Sequence, residues 1–239
     1  MRTAIVITGN VRTWMSNKES FIKTFNPLTP DIFISTYNLL NGYHPNVASQ
    51  HNAWADYMVD KQLVIDSFSG LNVVDILVED FNDVNEILRQ EDPKFHPMLQ
   101  KLNANCFGQY RKLKQVMDMV KSHEDKNGFK YDRVIKTRCD LAYIDNPDLS
   151  ITDNNFVYDQ GSNPHNEFGS DHLFIGTRDT MFNVADFCYN EFYRPVYDDS
   201  QIHPPHGFIR NAIRCHNLKR NPRHIIKYLL RSDGFEQTI

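Results

Sequence analysis

Lys136, Arg138 and Asp140 stand at alternate positions of the run Tyr131-Asp132-Arg133-Val134-Ile135-Lys136-Thr137-Arg138-Cys139-Asp140-Leu141. Tyr131 to Cys139 reads as a strand, and alternate side chains of a strand share a face. The three charges then point one way, and Ile135, Thr137 and Cys139 the other. Buried and unpaired, each charge would cost several kcal/mol, so they pair together, reach solvent in a cleft, or contact a charged ligand. A carboxylate flanked by cations at a strand's end suits Mg²⁺ or Mn²⁺ holding a diphosphate, because such ions take one or two carboxylates plus substrate oxygens. A structural Arg–Asp ion pair accounts for the same spacing.

A second stretch, Thr8-Gly9-Asn10-Val11-Arg12-Thr13, follows an apolar run directly. It has neither the three glycines of a dinucleotide fingerprint nor the Gly-Lys-Ser/Thr ending of a P-loop. What it offers is a glycine that lets the chain turn close to a ligand, then Asn10, then a guanidinium on Arg12 that suits a pyrophosphate or a base edge. A glycine turn with a surface arginine accounts for it equally well.

The elements that must position these residues alternate. Thr3 to Thr8 is a strand buried on both faces, and Trp14 to Phe25 a helix closed off by Pro27 and Pro30. Asp31 to Tyr37 is a second strand, Lys61 to Phe68 a helix and Leu71 to Val78 a third strand, with Asn41 to Ala53 between them as a long surface loop. Asn105 to Lys121 places Phe107, Tyr110, Leu113, Met117 and Val120 on one helical face, which leaves Gln109 and Lys112 to border a cleft or lie in solvent. Short strands are expected at Asn155 to Tyr158 and His172 to Ile175, and helices at Thr180 to Tyr193 and Pro205 to Cys215. The β-α-β-α-β start argues for an α/β fold, a mostly parallel central sheet flanked by helices, and ligands then bind beyond the carboxyl ends of the strands. No repeat or linker divides the chain, so residues 1–239 read as one domain.

The chain of 239 residues carries 26 Lys+Arg against 30 Asp+Glu, a net charge of −4 with both signs mixed, which argues against nucleic acid as a partner. With 16 Phe and 11 Tyr it is too rich in large side chains for a disordered protein. Its four cysteines, Cys106, Cys139, Cys188 and Cys215, form no CxxC pair and read as reduced thiols. No stretch approaches the roughly 18 apolar residues of a spanning helix, and Met1 leads into no charged and cleavable leader, so a cytosolic location is expected, in a bacterium or a virus-infected host.

Four features come in the order found in a loose group of viral and bacterial nucleotide-sugar glycosyltransferases of GT-A type. They are a first strand ending in Gly9-x-x-Arg12; Asp31-Ile32-Phe33-Ile34-Ser35-Thr36; Asn105-x-x-x-Gln109-Tyr110-x-Lys112 before Tyr131-Asp132-x-Val134-Ile135-Lys136-Thr137-Arg138-x-Asp140-Leu141; and Ser170-Asp171-His172-x-Phe174-Ile175-Gly176. The chain resembles that group over about Ile5 to Cys215. The resemblance implies a single GT-A-like (Rossmann-like) domain that moves a sugar from a nucleoside diphosphate sugar to a hydroxyl of a glycan or other acceptor.

In that group a DxD motif holds Mn²⁺ or Mg²⁺ against the donor diphosphate, and Asp140 takes its last position. Arg138 occupies the first position. Metal ligation then rests on Asp140 with help from elsewhere, or Arg138 itself neutralises the diphosphate and no metal is needed. The resemblance also puts Gly9, Asn10 and Arg12, with Lys136 and Arg138, at the nucleotide diphosphate, and Asp171 near the sugar or acceptor. There Asp171 would take the acceptor proton in an inverting reaction; a helix cap is its other reading. A late histidine often joins the metal in such enzymes, which makes His206, beside His203 at a helix start, a second ligand candidate. Two other readings stand beside this one: a sugar nucleotidyltransferase, which the lone glycine after the first strand disfavours, and a noncatalytic glycan- or nucleotide-binding or virion-associated protein.

Overall fold

The computed structural model describes residues 1–11, 13–43, 54–80, 104–151, 155–159, 172–191, 204–230 and 236–237. A seven-stranded sheet forms the centre, its strands in the order β10-β8-β9-β6-β1-β2-β5. These are β1 (Thr3–Asn10), β2 (Asp31–Tyr37), β5 (Val73–Glu79), β6 (Arg133–Thr137), β8 (Asn155–Asp159), β9 (Phe174–Thr177) and β10 (Lys219–Arg223). β5, β2, β1 and β6 run parallel, as do β8 and β10, while β9 is antiparallel to both of its neighbours. The architecture is α/β with a mostly parallel sheet, as the alternating pattern of the sequence predicts.

The apolar run of β1 is buried on both faces because helices cover both sides of the sheet. Ala4 and Val6 face one way, with Phe33, Val134 and Phe174, into a core capped by α3 (Ala104–Asn127), α4 (Arg178–Glu191) and α5 (Pro204–Cys215). Tyr110, Leu113, Met117 and Val120 of α3 are buried there, the stripe that its spacing predicts. Ile5 and Ile7 face the other way, with Ile34, Ile135 and Ile175, against α1 (Trp14–Phe25) and α2 (Lys61–Ser67). Trp14 anchors that layer. Its ring lies 4.8 Å from Phe68 and 5.3 Å from Phe21, and its indole N–H donates to the Ser67 carbonyl at 3.0 Å. Burying each such ring is worth roughly 1.5–3 kcal/mol.

Two short sheets flank the main one. β7 (Leu141–Tyr143) pairs with β11 (Ile226–Leu230), which pairs with β12 (Glu236–Gln237). β3 (Leu39–Tyr43) pairs antiparallel with β4 (Trp54–Met58), with Tyr43 opposite Trp54. The loop expected over Asn41 to Ala53 is therefore strand at Asn41, Gly42 and Tyr43: the residues following it in sequence supply a partner strand, which loop-like composition does not reveal. Residues 44–53 lie outside the described residues.

Several ends also move. α3 runs on past Lys121 to Asn127 and stops where Gly128 turns with φ +68°, a conformation that glycine adopts at little cost. α4 begins at Arg178, the Thr177 hydroxyl accepting from the Thr180 N–H at 3.3 Å as a helix cap. β6 ends at Thr137, so Arg138 and Asp140 lie just beyond the strand. Side-chain alternation nonetheless persists: Ile135 and Cys139 join the α1-side core, while Lys136 lies over the Phe174 ring on the other side.

Candidate functional site

The chain leaves β1 for β2 on one side, and β6 lies on β1's other side, so the strand order reverses between β1 and β6. That switch point, at the carboxyl ends of the strands, is where open α/β sheets bind ligands. Gly9 and Asn10 end β1 there, and Lys136, Arg138 and Asp140 end and follow β6. Five of the sequence-predicted site residues therefore share one edge. Arg12 and Asp171 lie outside the described residues, as do His203 and the side chain of His206.

Gly9 has φ +100°, and among the described residues a Cβ built on it would meet nothing within 4 Å. The positive φ is what favours glycine at this turn. Its carbonyl accepts from the Thr36 hydroxyl at 2.5 Å, which ties the ends of β1 and β2 together. One residue earlier, the Thr8 hydroxyl is buried and has no hydrogen-bond partner among the described residues. By strand alternation it lies on the α3 side of the sheet.

Arg138 grips Asp140 with two bonds, Nε to Oδ1 at 2.9 Å and Nη2 to Oδ2 at 2.6 Å. The Asp140 side chain is 1% exposed and that of Arg138 17%, so the guanidinium stands between the carboxylate and solvent. The turn that carries them is held from α1, where the Asn17 amide reaches the Cys139 carbonyl at 3.5 Å. Lys136 is buried, its ammonium 3.4 Å from the His172 carbonyl and 5.0 Å from the centre of the Phe174 ring. The fork geometry of arginine against a carboxylate makes this a strong, directional pair.

Further along the same edge lies a cluster that the sequence reading missed. Glu79, the last residue of β5, takes a bidentate pair from Arg111 of α3, Nη1 to Oε2 at 2.7 Å and Nη2 to Oε1 at 3.0 Å, and also binds the Lys112 ammonium. Lys112 donates to the Thr36 carbonyl at 2.9 Å and lies 4.0 Å from the centre of the Tyr37 ring. Its side chain is 0% exposed, so this lysine lies in the interior and not in solvent. Burial pushes the Glu79 carboxyl up, but hydrogen bonds from Arg111 and Lys112 outweigh it and bring its pKa down to about 2. Burial drives Lys112 down to about 8 against the pull of Glu79. Both stay charged at neutral pH. The available signal was Glu79's place one residue past the strand read to Val78, at the edge where sites form.

Among the described residues no group of three His, Cys, Asp or Glu side chains could hold a metal ion, and both oxygens of Asp140 bind Arg138. The described residues by themselves do not fit a metal centre. They provide instead a row of cations at a sheet edge, each held in place by an acid, a carbonyl or an aromatic face. No protein-family model matches the chain, and no curated protein matches it. Among the described residues no helix is long and apolar enough to cross a membrane.

Proposed function

We propose that this chain is a glycosyltransferase that takes a sugar from a nucleoside diphosphate sugar and attaches it to a hydroxyl of a glycan or other acceptor. The observation that carries the reading is the convergence of Gly9, Asn10, Lys136, Arg138 and Asp140 on the carboxyl edge at the β1–β6 switch point. The leaving diphosphate needs its charge neutralised, and Arg138 stands at the more exposed end of the pair that could do so. Asp140 acts as a positioning residue: by holding the Nε–Nη2 edge of the guanidinium it fixes the direction in which Arg138 presents its charge.

Arg12 adds a second cation after the Gly9 turn. In an inverting reaction Asp171 takes the proton of the acceptor hydroxyl; a retaining reaction needs no such base. A requirement for Mn²⁺ or Mg²⁺ rests on His206 joining Asp140, and the mechanism above has no step that depends on it. The free thiols of Cys139, Cys188 and Cys215 suit a cytosolic setting.

A thermal-shift screen of nucleoside diphosphates and nucleotide sugars, with and without Mn²⁺, tests the reading on wild type, Asp140→Ala and Arg138→Gln. A ligand at a hundred times its Kd adds about 2.7 kcal/mol of stability. One nucleotide sugar should stabilise the wild type and lose its effect in both variants, and dependence of that effect on Mn²⁺ would bring the metal into the site. Silence towards every nucleotide would overturn the reading in favour of a noncatalytic protein in which Arg138 and Asp140 form a structural pair.

A further inference from the structure

At the opposite, amino-terminal edge of the sheet lies a buried cation with no acid beside it among the described residues. Arg133 opens β6 and is 4% exposed. Its Nε and Nη2 donate to the Thr3 hydroxyl at 3.2 and 2.9 Å, and its Nη1 to the Leu149 carbonyl at 2.8 Å. A guanidinium has five N–H donors, so with these three engaged two are left over. Burial lowers the guanidinium's pKa, and no carboxylate among the described residues pushes it back up. Arg111, Lys112, Arg138 and Arg178, by contrast, each bind a carboxylate. A buried charge without a counter-ion is costly, and one that also keeps two donors in hand is built to meet an anion.

Arg133 lines a cavity of about 680 Å³ between the last turns of α1 and the segment that follows β7, a volume in the range of small-molecule sites. Its wall is apolar at Pro27, Leu28, Tyr143 and Leu149. Lys23 and Lys227 bring two more cations. Of the two acids on the wall, Asp145 is already engaged by Lys23 at 2.5 Å and Glu19 is solvent-exposed on α1. Among the described residues the wall carries three cations and two carboxylates beside an apolar surface.

We propose that this cavity binds a small oxyanion-bearing molecule, its phosphate or carboxylate head held by the two remaining donors of Arg133 and its apolar body against Leu28, Tyr143 and Leu149. The site is separate from the carboxyl edge and does not depend on the transferase reading.

Calorimetric titration of the full chain with phenyl phosphate and with benzoate, at ionic strength held constant with sodium chloride, tests it. Saturable binding of at least one probe is expected, and whichever binds more tightly identifies the head as phosphate or carboxylate. Arg133→Met should weaken that binding by roughly tenfold or more, the loss of a charge-assisted pair, whereas Asp140→Ala at the far edge should leave it within about twofold. Lys227→Ala, a change at an exposed side chain, should weaken it by roughly threefold and keeps the test decisive if Arg133→Met does not fold. No saturable heat with either probe, or an affinity unchanged in Arg133→Met, or in Lys227→Ala if Arg133→Met does not fold, would overturn the proposal.

Discussion

Two sites at opposite edges of the central sheet treat a buried cation in opposite ways. At the carboxyl edge Arg111 and Lys112 share Glu79, and Arg138 closes on Asp140 with two bonds. At the amino edge Arg133 meets a hydroxyl and a carbonyl and, among the described residues, nothing negatively charged. A paired buried charge belongs to the folded structure: removing one member strands the other, at about 3–5 kcal/mol. A buried charge given only neutral partners has no such mate to strand, and its removal should be felt in ligand binding more than in folding.

The sharpest way to break this contrast is Glu79→Ala. It leaves Lys112 fully buried with only a carbonyl and a ring, and it should lose about 3–5 kcal/mol in urea denaturation. A loss below about 1 kcal/mol would mean the cluster is less closed than its geometry states. Acid is the next lever. The folded pKa of Glu79, about 2, lies below its ordinary 4.5, so its contribution is whole above pH 4.5 and disappears as pH falls towards 2. Up to about 3 kcal/mol is at stake. Denaturation of wild type and Glu79→Gln between pH 7 and pH 3 should show a steeper acid loss in the wild type; parallel curves would remove Glu79 from the account.

At the other edge, Arg133→Met without ligand should change stability by about 1 kcal/mol or less, because it replaces an uncompensated buried charge with an apolar chain of similar length. A loss as large as that of Glu79→Ala would erase the distinction between the edges. The smallest effect is expected at Thr8→Val, which exchanges a buried hydroxyl lacking a partner among the described residues for a methyl group. Thermal denaturation should show an unchanged or slightly raised midpoint, by no more than about 1 kcal/mol in stability.

The elements were legible where their signals are local. α1 spans Trp14 to Phe25 and β2 Asp31 to Tyr37, the bounds expected from an apolar stripe and an apolar run punctuated by Pro27 and Pro30. The stripe on α3 and the two-sided burial of β1 were legible for the same reason. At the candidate site, the turn at Gly9 and the ion pair of Arg138 with Asp140 could be read from spacing, because each involves residues only a few positions apart at a strand's end. Lys112 was not legible in this way. On its own helix it looks like a residue free to face water, and only the arrival of Glu79 and the Thr36 carbonyl from strands 33 and 76 positions away makes its burial possible.

By itself the sequence determined the alternation of strands and helices, the apolar faces that press them together, and the placing of a glycine turn and three charges at strand ends. These follow from backbone preferences and side-chain periodicity, which act over a few residues. Tertiary structure alone decided that β9 enters the sheet antiparallel, that β3 and β4 pair, that Glu79 answers Arg111 and Lys112, and that Arg133 meets a hydroxyl and a carbonyl. One carboxylate is chemically much like another along the chain. Which cation each one meets depends on the strand ends and helix turns that folding brings within bonding distance.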